Sequence, residues 1–204
     1  MMKRNECMRA LLPHITDEIV VAVYSSAFEL VALRPGHPLN YTSIGAMGLA
    51  SSHGLGLALG RPDRKVIVID GDGSLLMNLG SLVTIGAAAP ENLYHFVSQN
   101  STYEVNGAHP IPGAEQVDFA GLAHAAGYRA THEFSELAEF SASIGGVLGQ
   151  PGPVFTTLKV VPDNPAAPVP PPGAFTALYS PQSRAAFKAA LRDLLTPPVR
   201  PQTT

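Results

Sequence analysis

Charge is scarce in this chain. Asp, Glu, Lys and Arg make up 14% of its 204 residues, against the roughly 25% usual in soluble domains. The 13 basic and 16 acidic side chains nearly cancel, leaving a formal charge of −3. That balance offers no basic footprint for nucleic acid and no polybasic face for a membrane surface, so small molecules or proteins are the expected partners. The deficit is also uneven, because residues 35–60 and 73–90 contain no Asp, Glu, Lys or Arg. Neither stretch supplies the ~18 continuous apolar residues of a membrane helix, since Gly, Ser, Asn or His recur at short intervals. Burial against another protein chain is the expected explanation. Cys7 is the only cysteine, which excludes an intrachain disulfide and Cys-rich metal sites. Asn5, Glu6 and Arg9 stand where an export signal needs an apolar stretch, and a cytoplasmic protein is expected.

What is present fits one domain with an appendage. Apolar residues reach 46%, enough for a full core. Residues 2–12 read as a short amphipathic helix, 18–24 as a β-branched strand and 25–33 as a helix ending at Pro35-Gly36. Small residues throughout 48–59 predict a helix packed closely on its neighbours. Residues 65–70 (KVIVID) and 93–99 (LYHFVSQ) are continuous apolar runs of the kind found in parallel sheets covered on both faces. Between them, 74–89 is long enough for a helical crossover. After a loop rich in Gly and Pro (100–116), helices are predicted over 119–126 and 133–148, and a last strand over 153–160. This alternation argues for an α/β fold with a mainly parallel sheet and helices on both faces. Eight prolines between 151 and 172 mark a change of character. The expected organisation is a domain over 1–161, followed over 162–204 by a Pro-rich connector and a C-terminal helix at 181–195.

The segment that carries chemistry is KVIVIDGDGSLLMNLGSLVTI, where a buried strand runs into Gly71-Asp72-Gly73-Ser74 and then a helix. Glycines admit close backbone approach, and unpaired amides at a helix start favour an anion. Asp72 would repel a phosphate unless a cation lay between them, so it points to a metal. A strand-terminating turn with a capped helix explains the same four residues without any ligand. The balance shifts with Gln99-Asn100, which follow at the end of the next predicted strand after 25 residues, 74–98. In a right-handed βαβ unit the carboxyl ends of adjacent parallel strands bring Asp72 and Asn100 side by side, where α/β sheets bind ligands. An Asp carboxylate, an Asn carbonyl and a main-chain carbonyl are hard oxygen ligands suited to Mg²⁺ or Ca²⁺, with diphosphate and water completing the shell.

Gly-Asp-Gly-Ser, about 25 residues, then Gln-Asn resembles the thiamine-diphosphate motif of the 2-oxo-acid decarboxylase and acetolactate synthase superfamily, in which Gly-Asp-Gly ends in Asn-Asn. Ile44-Gly45-Ala46-Met47-Gly48-Leu49-Ala50 resembles the superfamily segment that places a large apolar side chain beneath the bent cofactor. Taken alone, Met47 reads as an ordinary core residue. The resemblance covers about 38–161 and is to the pyrophosphate-binding (PP) domain. It implies thiamine diphosphate and Mg²⁺ as cofactors, with metal ligands Asp72, Asn100 and the Thr102 carbonyl. It further implies that Gly71, Gly73 and Ser74 lie at the diphosphate, Gly45 and Met47 at the aminopyrimidine, and Tyr103 and Glu104 in a loop closing over the diphosphate.

In that superfamily the aminopyrimidine is activated by a glutamate on a separate pyrimidine-binding (PYR) domain. The 37 residues before Pro38 and the 42 after Pro162 are too few for such a domain. Glu6 and Glu18 precede the matched region, and Glu29, Glu91, Glu104, Glu115, Glu133, Glu136 and Glu139 are expected on surfaces or in the motif loop. The expectation is therefore a β subunit completed in trans by a PYR-domain α subunit, in an α₂β₂ or larger hetero-oligomer. Val117-Asp118-Phe119-Ala120 and His124-Ala125-Ala126-Gly127-Tyr128-Arg129 resemble the sulfopyruvate and phosphonopyruvate decarboxylases, which implies a lyase acting on a small 2-oxo acid. The loop after Asn100 departs from the acidic, Gly-rich loop of those enzymes and leaves the acid open. Carboligation, or cofactor binding without turnover, are the alternatives. His109 is the catalytic candidate, as proton donor or substrate-anion ligand, and otherwise a solvated loop side chain. His53 is expected to be a core residue.

Overall fold

Six strands lie parallel in one sheet, the four central ones buried on both faces. They are β1 (Ile19–Val23), β2 (Asn40–Ser43), β3 (Val66–Gly71), β4 (Leu93–Gln99), β7 (Ala130–Phe134) and β8 (Val154–Lys159), in the spatial order β2-β1-β3-β4-β8-β7. A small antiparallel pair, β5 (Thr102–Tyr103) and β6 (His109–Pro110), stands apart from it. The helices are α1 (Arg4–Leu11), α2 (Tyr24–Leu33), α3 (Ala50–Gly60), α4 (Asp72–Leu76), α5 (Ser81–Ala88), α6 (Phe119–Ala125), α7 (Leu137–Gly149) and α8 (Pro181–Asp193). This is a computed structural model, and it describes residues 2–43, 45, 47–163 and 180–193.

Alternation along the strands divides the core into two layers. Val20, Ala22, Ile67, Ile69, Tyr94 and Phe96 face α1, α2 and α7, where Met8, Leu11, Leu30, Phe140 and Ile144 meet them. Ile19, Val21, Val66, Val68 and Val97 face the opposite way, against Ala50, Leu75, Leu82, Ile85 and Phe119 of α3 to α6. From α8, Phe187 packs its ring 5.2 Å from Tyr41, and the Leu191 carbonyl accepts a bond from Arg61. The connector at 164–179 and the residues after 193 lie outside the described residues.

Buried central strands appear where expected; the differences lie at the sheet edges and in one crossover. The crossover expected as a single helix over 74–89 is two helices, α4 and α5, because the chain turns through Met77 to Gly80. The helix expected over 133–148 is preceded by strand β7 and begins only at Leu137. Two strands were not expected, β2 (NYTS) and β7 (ATHEF). Both are edge strands, paired on one side only, so neither needs a continuous apolar run. The loop over 100–116 contains the short β5–β6 hairpin.

The layers fit closely at two glycines. A methyl group on Gly54 would fall 2.2 Å from the Val68 side chain, and one on Gly86 would fall 1.9 Å from the Ala126 carbonyl oxygen, whereas at Gly56 it would meet nothing. Gly86→Ala is therefore expected to lower stability by about 1–3 kcal/mol through overpacking against backbone. Gly56→Ala should raise it by roughly 0.5–1 kcal/mol through helix propensity. Urea unfolding followed by circular dichroism measures both, and equal effects would contradict this packing.

Candidate functional site

All six strands point the same way, so their carboxyl ends gather on one edge, and register decides what stands together there. Gly71 pairs with Ser98 across β3 and β4, which carries Asp72 and Asn100 past the same edge. Ala22 pairs with Ile69 across β1 and β3, so Tyr24 emerges next to Gly71. From β1 the chain goes outward to β2 and then returns to the far side of β1 as β3, making this the switch point where such sheets open a crevice. A cleft of about 420 Å³ occupies it, lined by Tyr24, Ser25, Ser26, Met47, Gly71 to Ser74, Asn100 and 102–105, with Arg4 on its wall.

Asp72 is 2% exposed. One carboxylate oxygen accepts the Gly73 N–H at 2.7 Å and the other the Ser101 N–H at 2.6 Å, so the exits of β3 and β4 are tied through this side chain. Asn100 Oδ1 accepts the Thr102 N–H at 2.9 Å. Two non-glycine residues on the cleft rim are held in the left-handed region, Tyr24 at φ 44° and Ser101 at φ 63°; strain of this kind is retained where surrounding contacts over-determine it. Burial pushes the Asp72 carboxyl up to about 6; the Ser101, Gly73 and Asn100 N–H groups oppose that rise, and the Glu104 charge adds to it. A carboxylate in such a position is stabilised by a cation.

The second strand-to-helix junction is fastened to the first. Ser74 Oγ accepts the Gly48 N–H at 3.1 Å. Gly48 sits at φ 87°, and a methyl group there would be 3.0 Å from Met77 Cβ. Met47, half-buried, is thereby set on the cleft wall; Gly45 is exposed at φ 80°, and Ile44 and Ala46 lie outside the described residues. The Tyr103 ring lies over Gly73, where a Cβ would be 2.6 Å from it, so glycine is required for the loop to approach.

Of the residues named from sequence, Met47, Gly71, Asp72, Gly73, Ser74, Asn100, Thr102, Tyr103 and Glu104 line one cleft. His109 does not: it is exposed on β6, paired with Tyr103. His53 is half-buried rather than in the core, 3.0 Å from Ser43 Oγ and edge-on to Tyr41. Glu29, expected on a surface, is largely buried and bonded to Arg4. Sequence reasoning passed over the β1 exit, Tyr24 to Ser26, whose only signal was its place after a β-branched run. It also passed over a buried chain beneath the cleft. His95 lies between Asp70 (3.3 Å) and the Tyr128 hydroxyl (3.2 Å), and burial, then the Asp70 charge, push the Tyr128 pKa up.

The donor set fits a hard cation bridging to an anion. Among the described residues no three His, Cys, Asp or Glu side chains cluster for a metal; one carboxylate, that of Asp72, and one side-chain amide, that of Asn100, line the cleft instead, and oxygen donors of this kind suit a hard cation whose shell phosphate oxygens and water would complete. A parallel α/β sheet with a cleft at its switch point defines the class of proteins that bind a ligand beyond the carboxyl ends of the strands. Residues 22–157 match the C-terminal TPP-binding domain of thiamine pyrophosphate enzymes, and the chain belongs to that family.

Its relatives include a phosphonopyruvate decarboxylase of Streptomyces viridochromogenes, 42% identical over 159 residues, which are 78% of this chain and 39% of that protein. Another is the sulfopyruvate decarboxylase subunit beta of Methanothermobacter thermautotrophicus, 36% identical over 170 residues, which are 83% of this chain and 88% of the subunit. The chain thus spans about two fifths of the first and most of the second. Among solved structures, a candidate thiamin diphosphate-dependent enzyme isolated from Mycobacterium smegmatis superposes with a TM-score of 0.67 at 23% identity, over 79% of this chain and 32% of that one; the likeness shows the fold.

Because folding raises the Asp72 pKa from 3.8 to about 6, it favours the neutral form. The side chain costs nothing below pH ~4, and its cost grows as pH rises to about 6. Without divalent cation, Asp72→Asn should gain stability relative to wild type between pH ~4 and ~7, by at most about 3 kcal/mol. Urea unfolding in chelator across that range measures it; a difference independent of pH would refute the uncompensated charge.

Proposed function

We propose that this chain is the β subunit of a thiamine-diphosphate- and Mg²⁺-dependent 2-oxo-acid decarboxylase of the sulfopyruvate and phosphonopyruvate type. The observation that carries the reading is the pair of coverages: the chain spans 88% of a relative named as a beta subunit but 39% of a phosphonopyruvate decarboxylase. A piece of the longer protein thus corresponds to a separate subunit in the other.

In this reading Asp72, Asn100 and the Thr102 carbonyl hold Mg²⁺. Gly71, Gly73 and Ser74 receive the diphosphate, where small residues and helix-start amides leave room for an anion. Gly45 and Met47 meet the aminopyrimidine, Met47 from below as a wedge, and Tyr103 and Glu104 close the loop. Bound thiamine diphosphate supplies an electron sink for the bond pair released as CO₂ leaves. The chain's own residues bind and orient it, and Tyr103 stacked over Gly73 excludes water from the diphosphate end. His109, exposed on the hairpin, is left as a substrate-anion or proton-donor candidate for acids long enough to reach it.

A PYR-domain α subunit would add the activating glutamate, in an α₂β₂ or larger assembly. The outer face of α3 to α6 supports a partner: Leu49, Leu59, Met77, Val83 and Leu122 are exposed there, and α3, α5 and α6 contain no Asp, Glu, Lys or Arg. Uncharged, apolar helix faces of this kind mark interfaces. Among the described residues no helix is long and apolar enough to cross a membrane.

Calorimetry should detect thiamine diphosphate binding that requires Mg²⁺, lost in Asp72→Ala. Mixed with the PYR-domain chain expected to be encoded beside it, the protein should release aldehyde and CO₂ from 2-oxo acids. Acyloin in place of aldehyde would favour carboligation, and turnover by the chain alone at the rate of the mixture would sink completion in trans.

A further inference from the structure

Arg4 is the one cation lining the cleft among the described residues, and it is fully engaged. The residue is 5% exposed. Its Nε donates to Glu29 Oε1 at 3.1 Å, its Nη1 to Glu104 Oε2 at 2.7 Å, and its Nη2 to Asp163 Oδ2. The Asp163 N–H donates to the other Glu104 oxygen at 2.8 Å, so Glu104 is gripped at both oxygens. Burial works against the Glu104 charge, but Arg4 and the donors from Asp163 and Asn100 outweigh it and hold its pKa below the usual range. Burial likewise disfavours the guanidinium, and the three carboxylates more than offset that.

Two of the partners of Glu104, Arg4 and Asp163, come from outside the stretch that matches the family, residues 22–157. They are brought together by a join between the chain's two flanks. Met2 bridges Val160 in parallel, and the Val161 N–H donates to the Met2 carbonyl at 2.8 Å. That join sets α1 beside the exit of β8, with Arg4 and Asp163 two residues beyond it on either side. Between them lies a loop that needs holding. The β5–β6 hairpin has two residues per strand, far too few to be stable alone.

The geometry points to Arg4 as a positioning residue that, with Asp163, clamps Glu104 and holds the 101–107 loop shut over the diphosphate end of the cleft. Arg4 acts through Glu104 and touches no reacting group. What the loop covers rests on the thiamine diphosphate reading; the clamp itself does not. Without Arg4, three carboxylates face one another, and Glu29 Oε2 already lacks a hydrogen-bond partner among the described residues. Repulsion then opens the loop, and removing the Glu104 charge as well relieves it. A purely structural role for Arg4 in packing α1 predicts no such relief.

Hydrogen–deuterium exchange on the full chain tests this, with the β3 and β4 amides as the internal control for folding. In Arg4→Met the amides of 101–111 should exchange at least tenfold faster with β3 and β4 unchanged, and Arg4→Met/Glu104→Gln should return to within threefold of wild type. Loop exchange within twofold of wild type in Arg4→Met, or a double variant no slower than the single, overturns the clamp. If Arg4→Met also opens β3 and β4, the decision passes to Glu104→Ala, which keeps Arg4 paired with Glu29 and Asp163 but, unlike the glutamine of the double variant, leaves no side-chain oxygen at 104 to accept the Asp163 N–H; tenfold faster loop exchange supports the proposal and unchanged exchange overturns it. Calorimetry with thiamine diphosphate and Mg²⁺ separates the two readings. Failure of the wild-type chain to bind, with its PYR partner present, removes the cofactor assignment and leaves the exchange result to decide the clamp.

Discussion

One buried carboxylate organises the functional end of this fold. Asp72 leaves the sheet edge at 2% exposure, and a charge in that position must be satisfied by donors that nothing else competes for. Its donors are the N–H of Gly73 in its own helix start and that of Ser101 across the cleft. To deliver the second, the chain must turn immediately after Asn100, and it does so with Ser101 in the left-handed region. The turn throws Thr102 and Tyr103 back over the β3 exit. There the Tyr103 ring fits because residue 73 has no side chain. The requirement to satisfy one anion thus fixes a backbone strain, a hairpin and a glycine.

The constraint works only because the sheet brings the two exits level. Parallel pairing of β3 with β4 sets Gly71 opposite Ser98, and a slip of one residue would turn every inward side chain outward. Beneath the exits, Asp70, His95 and Tyr128 form a polar chain through an otherwise apolar core. Such a chain is costly unless all its members are satisfied, and it joins β3, β4 and the approach to β7. The cleft therefore stands on a base that resists relative sliding of the strands that carry Asp72 and Asn100.

How much of this the sequence discloses follows from where energy is concentrated. KVIVID and LYHFVSQ are legible as strands because burial on both faces demands apolar side chains at every position, and Gly71-Asp72-Gly73 with Asn100 is legible because spacing and chain direction alone bring the two exits together. Edge strands β2 and β7 are not legible: NYTS and ATHEF answer to one neighbour and half a core, and their composition resembles that of loops or helix starts. The break between α4 and α5 is hidden for a related reason, since Met77 to Gly80 includes no proline and Met77 packs against Gly48, a residue distant in the chain. Arg4 is hidden most deeply. Its partners lie 25, 100 and 159 residues away, and no local pattern records them.

The scarcity of charge then acquires a spatial meaning. Helices α3, α5 and α6 carry no charged residue, while the cleft gathers several from distant parts of the chain. Arg4 is shared by Glu29, Glu104 and Asp163, and the Asp72 carboxyl lines the same cleft as Arg4 and Glu104. The local balance is strongly negative. A unit anion brought within about 5 Å of one uncompensated carboxylate meets a repulsion of roughly 3 kcal/mol at an effective dielectric near 20. If thiamine diphosphate is the ligand, as proposed, a divalent cation beside Asp72 offsets that repulsion, so this charge distribution favours diphosphate binding in company with the metal, while the cation on its own is attracted.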